Sequence, residues 1–274
     1  MNSDQVIPGS SEFEADLAVT ELFGLIEQSI LNQPRSLQKR IGPSEIGIPC
    51  DRRIGHILAG TPRVKPDSVA WLPFVGTALH EAVGNIVARA EIARFDQAED
   101  VKPRWHVEER VTVGQIGGVE ITGSCDLFDE ATGLVLDYKF VTRNKIRETY
   151  RPHGPGEQYR TQVHAYGKGF EDAGYDVQHV AVLFWTRDGQ FTDRHLHVEP
   201  YDRAIAEAAL ARVESIQQAI TLLGPEFALP TLAATESHCN FCPWQRSGAT
   251  DLTQACPGVT QETTVEQTLA DLLK

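Results

Sequence analysis

The sequence predicts an α/β fold, and three observations support that expectation. Apolar residues recur at helical spacing over residues 12–31. Three runs rich in Val, Ile and aromatic residues then follow one another, separated by glycine-containing turns, as the strands of a meander do. Further along, helical and extended patterns alternate. The 274 residues are enough for one large domain or two modest ones with a substantial core.

The individual elements are assigned in chain order from periodicity and from start and stop signals. The second helix, for example, begins at Ser44 and is ended by Gly60 and Pro62. The predicted helices cover residues 12–31, 44–60, 75–95, 157–173 and 201–222, with a short final helix at the C-terminus. The predicted strands cover residues 105–113, 119–129, 133–141, 178–186 and 190–198, the last two joined by an Asp188-Gly189 turn. This order indicates one mixed α/β domain with helical and cysteine-bearing additions at its ends.

The charge distribution excludes a uniformly basic nucleic-acid coat, because 25 basic against 38 acidic residues give a formal net charge of −13. The basic and acidic residues are nevertheless unevenly distributed, and two segments are basic. Residues 34–66 carry seven bases and two acids, and residues 139–160 carry six bases and two acids, giving local charges of +5 and +4. Such basic segments are either solvated loops or parts of a phosphate-binding groove. The candidates for DNA phosphate contacts are Arg52, Arg53, Arg143, Lys145 and Arg147.

The five cysteines are an odd number placed unevenly, which argues against a disulfide framework. The N-terminus has no secretory signal pattern, and no apolar run approaches the roughly 18–20 residues that span a bilayer. We therefore expect an intracellular, cytoplasmic protein without membrane association, in which thiols stay reduced. Cys239 and Cys242 form a C-x-x-C pair, Cys256 follows, and Cys50 stands far upstream. These four suit an iron–sulfur cluster or structural zinc, and their spacing does not choose between them. We expect the fifth, Cys125, to be a small buried side chain.

A predicted hairpin over residues 123–140 carries two opposed carboxylates. If it is symmetric about positions 131 and 132, Asp126 lies opposite Asp137, where like charges are destabilising unless something binds between them. A divalent cation is the simplest such ligand. Lys139 lies two residues beyond Asp137 and so shares its face. The alternative is a surface hairpin whose polar face carries chance charges.

This D-x10-D-x-K pattern resembles the core of the PD-(D/E)XK nucleases. Two further motifs are similar to the RecB-like branch: GTALHEAV, with His80 on the helix before the sheet, and QVHAY, with Gln162 and Tyr166 on the helix after it. The resemblance implies a restriction-endonuclease-like core, a mixed central sheet flanked by helices. It also implies a site in which His80, Asp126, Asp137 and the Tyr138 carbonyl hold Mg²⁺ or Mn²⁺. Lys139 would assist the attacking water, with Gln162 and Tyr166 positioning the scissile strand or supporting the lysine.

The cysteine order resembles that of the iron–sulfur RecB-like exonucleases, which include the CRISPR spacer-acquisition nuclease and phage-encoded relatives. That resemblance covers roughly residues 40–257 and implies a 4Fe–4S cluster held by Cys50, Cys239, Cys242 and Cys256, with zinc as the alternative. The last two cysteines are further apart than is usual in that family, which makes Cys256 the least secure ligand. We expect four segments: an acidic helical N-terminal extension (1–33), the N-terminal part of the iron–sulfur region (34–66), the nuclease core (67–225) and a cysteine-rich tail with a final helix (226–274). The acidic extension and the final helix fall outside the resemblance.

These observations together predict a metal-dependent DNA exonuclease that prefers single-stranded DNA or free ends. Such an enzyme would act in recombination, repair or CRISPR-type DNA processing, with a recombination or CRISPR-adaptation protein as a partner. Two alternatives stay open: a non-catalytic DNA-binding or assembly module, and a zinc-stabilised protein of unrelated function.

Overall fold

Five strands form one mixed sheet in the computed structural model, which describes residues 11–32, 41–64, 71–96, 102–236 and 239–259. Neighbouring strands are antiparallel except for the third and fourth, which are parallel. In spatial and chain order the strands are β1 (Trp105–Ile116), β2 (Val119–Asp129), β3 (Leu134–Val141), β4 (His179–Thr186) and β5 (Arg194–Pro200). The predicted α/β fold with a mixed sheet flanked by helices is confirmed.

Helices precede, interrupt and follow the sheet in the described part of the chain. A five-residue π-helical turn, Ile146–Tyr150, joins α5 to α6, and a 3-10 turn spans Cys239–Phe241. The helices are α1 (Ser11–Leu31), α2 (Pro43–Ile46), α3 (Asp51–Leu58), α4 (Trp71–Phe95), α5 (Arg143–Lys145), α6 (Arg151–His153), α7 (Gly156–Asp172), α8 (Arg203–Leu223) and α9 (Pro225–Thr231). None of these helices combines the length and the apolar character needed to cross a bilayer.

The chain divides into two compact units, one of residues 1–38 and 66–77 and the other of residues 39–65 and 78–274. In the first unit the described residues are those of α1 and the start of α4, where the rings of Trp71 and Phe74 lie 5.6 Å apart. The second unit contains the sheet and everything that bears on the candidate site. The four predicted segments follow other boundaries and stay a prediction.

In the second unit α7 is the crossover between the parallel strands β3 and β4, since parallel neighbours cannot be joined by a tight turn. Its apolar side packs on the sheet, where the rings of Phe170 and Phe128 stack with centroids 4.3 Å apart. Both rings are fully buried, as are Val135 and Val180 on the paired central strands. The helix that carries the predicted Gln162 and Tyr166 is therefore fixed against the strand that carries Asp137.

The predicted and the observed elements differ in several places. The helix expected over residues 44–60 is two helices, α2 and α3, because Pro49 has no amide hydrogen and disfavours helical geometry in the residue before it. Strand β5 begins at Arg194 rather than at residue 190, so a seven-residue loop replaces the expected Asp188-Gly189 turn. The helices α5, α6 and α9 were not predicted, and the final helix lies outside the described residues.

The β1–β2 hairpin has a two-residue turn and a bulge. Gly117 and Gly118 have φ values of 56° and 74°, which suit the tight turn between Ile116 and Val119. Between Thr112 and Gly114 the register shifts by one residue. Successive side chains of a strand point to opposite faces of the sheet. The bulge therefore changes which β2 residue lies beside each residue of β1 that precedes it.

The loop after α2 packs tightly on α7 through Gly47. A Cβ at Gly47 would lie 2.8 Å from the carbonyl oxygen of Gln158 and 2.7 Å from the Cβ of Thr161. Gln158 in turn donates a hydrogen bond from its amide to the carbonyl of Ser44 at 2.7 Å. These two contacts hold the N-terminal segment of the second unit against α7.

Gly47→Ala should lower the free energy of unfolding by about 1–3 kcal/mol, because an added methyl group would overpack the contact with the α7 backbone. Gly47 has φ −89°, which alanine adopts without strain, so the loss would be steric in origin. Urea denaturation measures it. The matched control is Gly76→Ala, where the added Cβ meets no atom within 4 Å and should leave stability unchanged or raised. Equal stability of the two variants would contradict the packing argument.

Candidate active site

The β2–β3 hairpin has the register that the sequence predicted. Leu127 pairs with Leu136 and Asp129 with Leu134, so the same register continued by one residue sets Asp126 level with Asp137. The ladder ends at Leu127 and Leu136, and beyond it the Tyr138 amide donates a hydrogen bond to Asp126 Oδ2 at 2.6 Å. A carboxylate of β2 thus replaces a backbone carbonyl as the acceptor for β3.

Both carboxylates are buried, with Asp126 9% and Asp137 2% exposed. Burial raises the pKa of Asp137 to about 6 although Lys139 opposes the rise, and the nearby Asp126 charge adds to it. The ammonium of Lys139 lies 2.5 Å from Asp137 Oδ2. The structure therefore brings Asp126, Asp137 and Lys139 together, as predicted.

Two helices, one before the sheet in sequence and one after β3, supply further groups. From α4, the imidazole Nδ1 of His80 lies 3.2 Å from Asp126 Oδ2. From α7, the amide of Gln162 donates a hydrogen bond to Asp137 Oδ1 at 3.1 Å. The predicted His80 and Gln162 thus each reach one of the two carboxylates.

Tyr166 lies one turn after Gln162 and is 5% exposed. It shares a hydrogen bond with Gln162, and burial together with the Asp137 charge raises the pKa of its phenol. Its hydroxyl lies close to β2, 3.1 Å from where a Cβ on Gly123 would be. Its contacts favour support of Gln162 over direct contact with a substrate strand.

Lys139 is held from a second side by an aromatic ring. Its ammonium lies 4.9 Å from the ring centroid of Tyr159 on α7, a cation–π distance. Its side chain is 17% exposed, so the charge faces the mouth of the site while its partner Asp137 lies inside. Tyr159 was not predicted as a site residue, and no motif in the sequence indicated it.

Glu108 on β1 is a further acidic group at the site, and no sequence motif indicated it. One donor atom each of His80, Glu108 and Asp126 lie within 4.8 Å of one another. Among the described residues this is the grouping of His, Cys, Asp and Glu side chains that meets that distance for a metal ion. Pairing of β1 with β2 could have placed Glu108 beside Asp126, but the bulge shifts the register and the sequence does not reveal it.

The four cysteines proposed as ligands line one cavity. They come from the N-terminus of α3 and from the C-terminal segment. The Arg52 amide donates to the Ala233 carbonyl and so joins these two parts, and the Cys256 amide donates to the Trp244 carbonyl within the C-terminal segment. Arg53 and His56 line the same cavity. The cysteines are Cys50, Cys239, Cys242 and Cys256. The longer spacing before Cys256 therefore does not keep it away from the other three.

Cys125 lies apart from that cavity. Its side chain is fully buried on β2, and its thiol donates to the Leu127 carbonyl at 3.4 Å. Burial raises the pKa of this thiol well above its usual range. Its placement agrees with the expected small buried side chain.

The basic residues fall into two groups. Arg143, Arg147 and Arg151 line one surface cavity with Asp193, directly after β3, whereas the neighbouring Lys145 is exposed outside its lining. Arg52 instead donates to the Leu232 carbonyl at 3.2 Å, and Arg53 lines the cysteine cavity. The two predicted arginines of α3 therefore contact the C-terminal segment, and their DNA contacts stay a prediction.

The model of the PD-(D/E)XK nuclease superfamily matches residues 55–247 of this chain, which include every predicted catalytic residue. The chain belongs to the PD-(D/E)XK nuclease superfamily. Within this nuclease, Asp126, Asp137 and Lys139 form the D…D-x-K pattern of the sequence.

Several solved structures are similar to the nuclease at low sequence identity. The crystal structure of SSO0001 is 15% identical with a TM-score of 0.46, covering 83% of this chain and 94% of that one. An alkaline exonuclease (LHK-Exo) from Laribacter hongkongensis is 13% identical, with a TM-score of 0.39 and coverages of 72% and 96%. A phage-related exonuclease from Haemophilus somnus 129PT is 12% identical, with a TM-score of 0.30 and coverages of 66% and 96%. Comparison with curated protein sequences found no significant match.

Lys139→Met should destabilise the nuclease by about 3 kcal/mol in the absence of divalent cations, because the buried Asp137 carboxyl loses its ion-pair partner and must either stay charged and unpaired or take up a proton. The double variant Asp137→Asn/Lys139→Met should recover most of that loss, since Asp137 then carries no charge. Urea denaturation of the two single variants and the double variant gives the coupling energy. Lys102→Met, which removes an exposed lysine, is the control and should be neutral. Additive losses in the double variant would contradict a coupled pair.

Proposed function

We propose that the nuclease is a metal-dependent DNA exonuclease that hydrolyses phosphodiester bonds from single-stranded or free ends. The observation that carries the proposal is the convergence of Asp126, Asp137 and Lys139 at the open end of the β2–β3 ladder. Two buried carboxylates at one level repel each other, and one lysine offsets only one of the two charges. A surface hairpin with chance charges would have no reason to bury both.

The donor set fits a hard divalent cation such as Mg²⁺ or Mn²⁺. Carboxylate oxygens suit both ions and the His80 imidazole suits Mn²⁺ in particular. Asp137 Oδ2 supports the fit, because it is buried without a hydrogen bond of good geometry although the Lys139 ammonium is near. The proposed ligands are His80, Asp126, Asp137 and the Tyr138 carbonyl. A cation bound there would polarise the phosphodiester and make a water molecule a better nucleophile.

The protein's own residues would position the reacting groups. Lys139, fixed between Asp137 and the Tyr159 ring, would orient the attacking water or offset the charge that develops on phosphate. Gln162 would hold the Asp137 carboxylate in one orientation through Oδ1, and Tyr166 would hold Gln162. We assign Gln162 and Tyr166 to positioning.

The proposed DNA-binding surface is the cavity formed by Arg143, Arg147 and Arg151. These residues are spaced four apart along one helical segment, which places them on one side. The segment directly follows the strand of Asp137 and Lys139, so phosphates bound there would be continuous with a strand in the site. Lys145 would add to the local positive charge.

We further propose that Cys50, Cys239, Cys242 and Cys256 hold a 4Fe–4S cluster, with zinc as the chemical alternative. The cavity suits an anionic group: Arg53 lines it, and the Gly258 amide donates to the Cys256 sulfur at 3.4 Å. Burial raises the pKa of the Cys242 thiol, and the Arg53 charge opposes that rise. Hydrolysis needs no redox step, so the group would serve to join the two chain ends.

Asp137→Ala and Lys139→Ala should each reduce cleavage of end-labelled single-stranded DNA with Mn²⁺ by about 100-fold or more. Substrates labelled at either end would show the polarity of digestion, and excess EDTA should stop the reaction. Glu120→Ala, at the far end of β2, is the control and should cleave as the wild type does. DNA binding without metal-dependent cleavage in the wild type would favour the assembly-module alternative instead.

Arg147→Ala/Arg151→Ala should raise KM for single-stranded DNA with little change in kcat. The salt dependence of log Kd should also become shallower, by about 0.7 for each phosphate that the variant no longer binds. Lys102→Ala removes a positive charge elsewhere and serves as the control. A salt dependence identical to that of the wild type would rule out phosphate binding at this cavity.

Anaerobically purified wild type should be brown, absorb broadly in the visible range, and contain about four iron and four sulfide per chain. Cys256→Ser should lose that absorption, whereas Cys125→Ser should keep it. A colourless protein that contains one zinc per chain would show that the four cysteines bind zinc and not an iron–sulfur cluster.

A further inference from the structure

Helix α3 presents one side to the cavity that the four cysteines line. Cys50, Arg53 and His56 follow one another at intervals of three residues, which is close to one helical turn. All three residues line the cavity. Cys50 is the N-cap of the helix, so a single element brings one proposed ligand and two nitrogen-bearing side chains to the same space.

On both of those side chains a nitrogen atom is buried without a hydrogen-bond partner among the described residues. These atoms are Nε of Arg53 and Nε2 of His56. Buried polar atoms in proteins are nearly always paired with protein, with water or with a ligand. The guanidinium Nε of an arginine always carries a hydrogen, so it requires an acceptor. Because both residues line the cysteine cavity, a group bound in that cavity is the acceptor that they share.

The orientation of the His56 ring is fixed by its other contacts. The residue is 1% exposed, and its ring stacks on that of Trp244 with centroids 5.6 Å apart and 7° between the planes. His56 Nδ1 lies 3.2 Å from the Thr61 hydroxyl, and Trp244 Nε1 donates to the Thr61 carbonyl at 2.8 Å. When Nδ1 accepts from that hydroxyl, the neutral ring carries its hydrogen on Nε2, which is then a donor as well.

Sulfur is the acceptor that suits both donors. Four thiolates outweigh the positive charge of the zinc ion or iron–sulfur core that they bind, so the sulfur atoms keep negative charge. One of them already accepts a hydrogen bond, since the Gly258 amide donates to the Cys256 sulfur at 3.4 Å. The guanidinium of Arg53 would also offset part of the charge of the bound group.

We infer that Arg53 and His56 hold the group bound by the four cysteines, through hydrogen bonds from Arg53 Nε and His56 Nε2 to its sulfur atoms. This inference rests on the proposed metal-binding role of the cysteines. Both residues are positioning residues and neither is a ligand. A reduced cluster carries one more negative charge than an oxidised one, so donors to its sulfur atoms favour the reduced state and raise the reduction potential.

The test compares variants of the full chain, each purified anaerobically with its bound metal. His56→Phe keeps a ring that can stack on Trp244 but removes Nε2, whereas His56→Gln keeps an amide donor. In His56→Phe the redox equilibrium constant of the cluster should shift about tenfold toward the oxidised state, a potential lower by about 59 mV for one electron. His56→Gln should recover part of that shift. Redox titration followed by electron paramagnetic resonance of the reduced cluster measures the potential.

Arg53→Met gives an independent measurement on the second donor and decides the question if His56→Phe fails to fold. It should lower the reduction potential in the same direction. The matched control is Arg52→Met, on the same helix, because Arg52 donates instead to the Leu232 carbonyl and is not part of the cavity lining. That variant should leave the potential close to that of the wild type. Circular dichroism of each variant establishes that it is folded.

The same variants test the inference if the four cysteines hold zinc. Competition with a chromophoric chelator measures the zinc affinity of each protein. His56→Phe and Arg53→Met should each weaken zinc binding by about 10–100-fold, as loss of a hydrogen-bonding partner of a metal ligand does. His56→Gln should weaken it less, and Arg52→Met should bind zinc as the wild type does.

The outcomes distinguish this inference from the proposed metal site. Unchanged potential or zinc affinity in both His56→Phe and Arg53→Met would overturn the inference and leave the cysteine site intact. Loss of the metal in His56→Phe together with its retention in Cys256→Ser would make His56 a ligand and would also overturn it. A wild type that contains neither iron nor zinc would overturn the proposed site and this inference together.

Discussion

The structure around the site depends on one constraint, the burial of carboxylates at the same level on adjacent strands. Asp126 and Asp137 are removed from water where their mutual repulsion is strongest, so each needs nearby compensation. Asp126 receives the Tyr138 amide, and Asp137 receives the Lys139 ammonium and the Gln162 amide. These partners come from β3 and α7, and each is held in turn by packing or by a second contact. Without a bound cation, the buried charges of the site therefore sum to a negative value.

Compensation of the Asp137 charge depends on Gln162, and therefore on the position of the crossover helix α7. The parallel pairing of β3 and β4 requires a crossover, and α7 fills that role while facing the site. Gly47 packs against its first half, where an added Cβ would lie 2.8 Å from the Gln158 carbonyl oxygen, and the Gln158 side-chain amide donates to the Ser44 carbonyl. The N-terminal segment of the second unit therefore acts on Asp137 indirectly, through the position of Gln162.

The sequence could predict the Asp126–Asp137 register because the turn between β2 and β3 is regular and counting from its centre gives the correct pairing. The same method fails for β1. Counted from the Gly117-Gly118 turn, Glu109 would be opposite Asp126, but the bulge between Thr112 and Gly114 shifts the register so that Glu108 takes that place. A bulge of this kind has no reliable local signal. The approach of Cys256 to the other cysteines likewise depends on long-range backbone pairing, which residue spacing does not reveal.

The candidate site is negatively charged, as is the whole chain with its net charge of −13. Counted as charged, the three carboxylates of Glu108, Asp126 and Asp137 and the Lys139 ammonium sum to about −2, so a DNA strand would be repelled from the site. The arginines at 143, 147 and 151, which we propose bind phosphates just beyond β3, would not neutralise the row of carboxylates. Divalent cations would therefore serve two purposes in the proposed enzyme. They would make the site receptive to a phosphodiester before they contribute to its hydrolysis, so that DNA binding at the site and metal binding are linked.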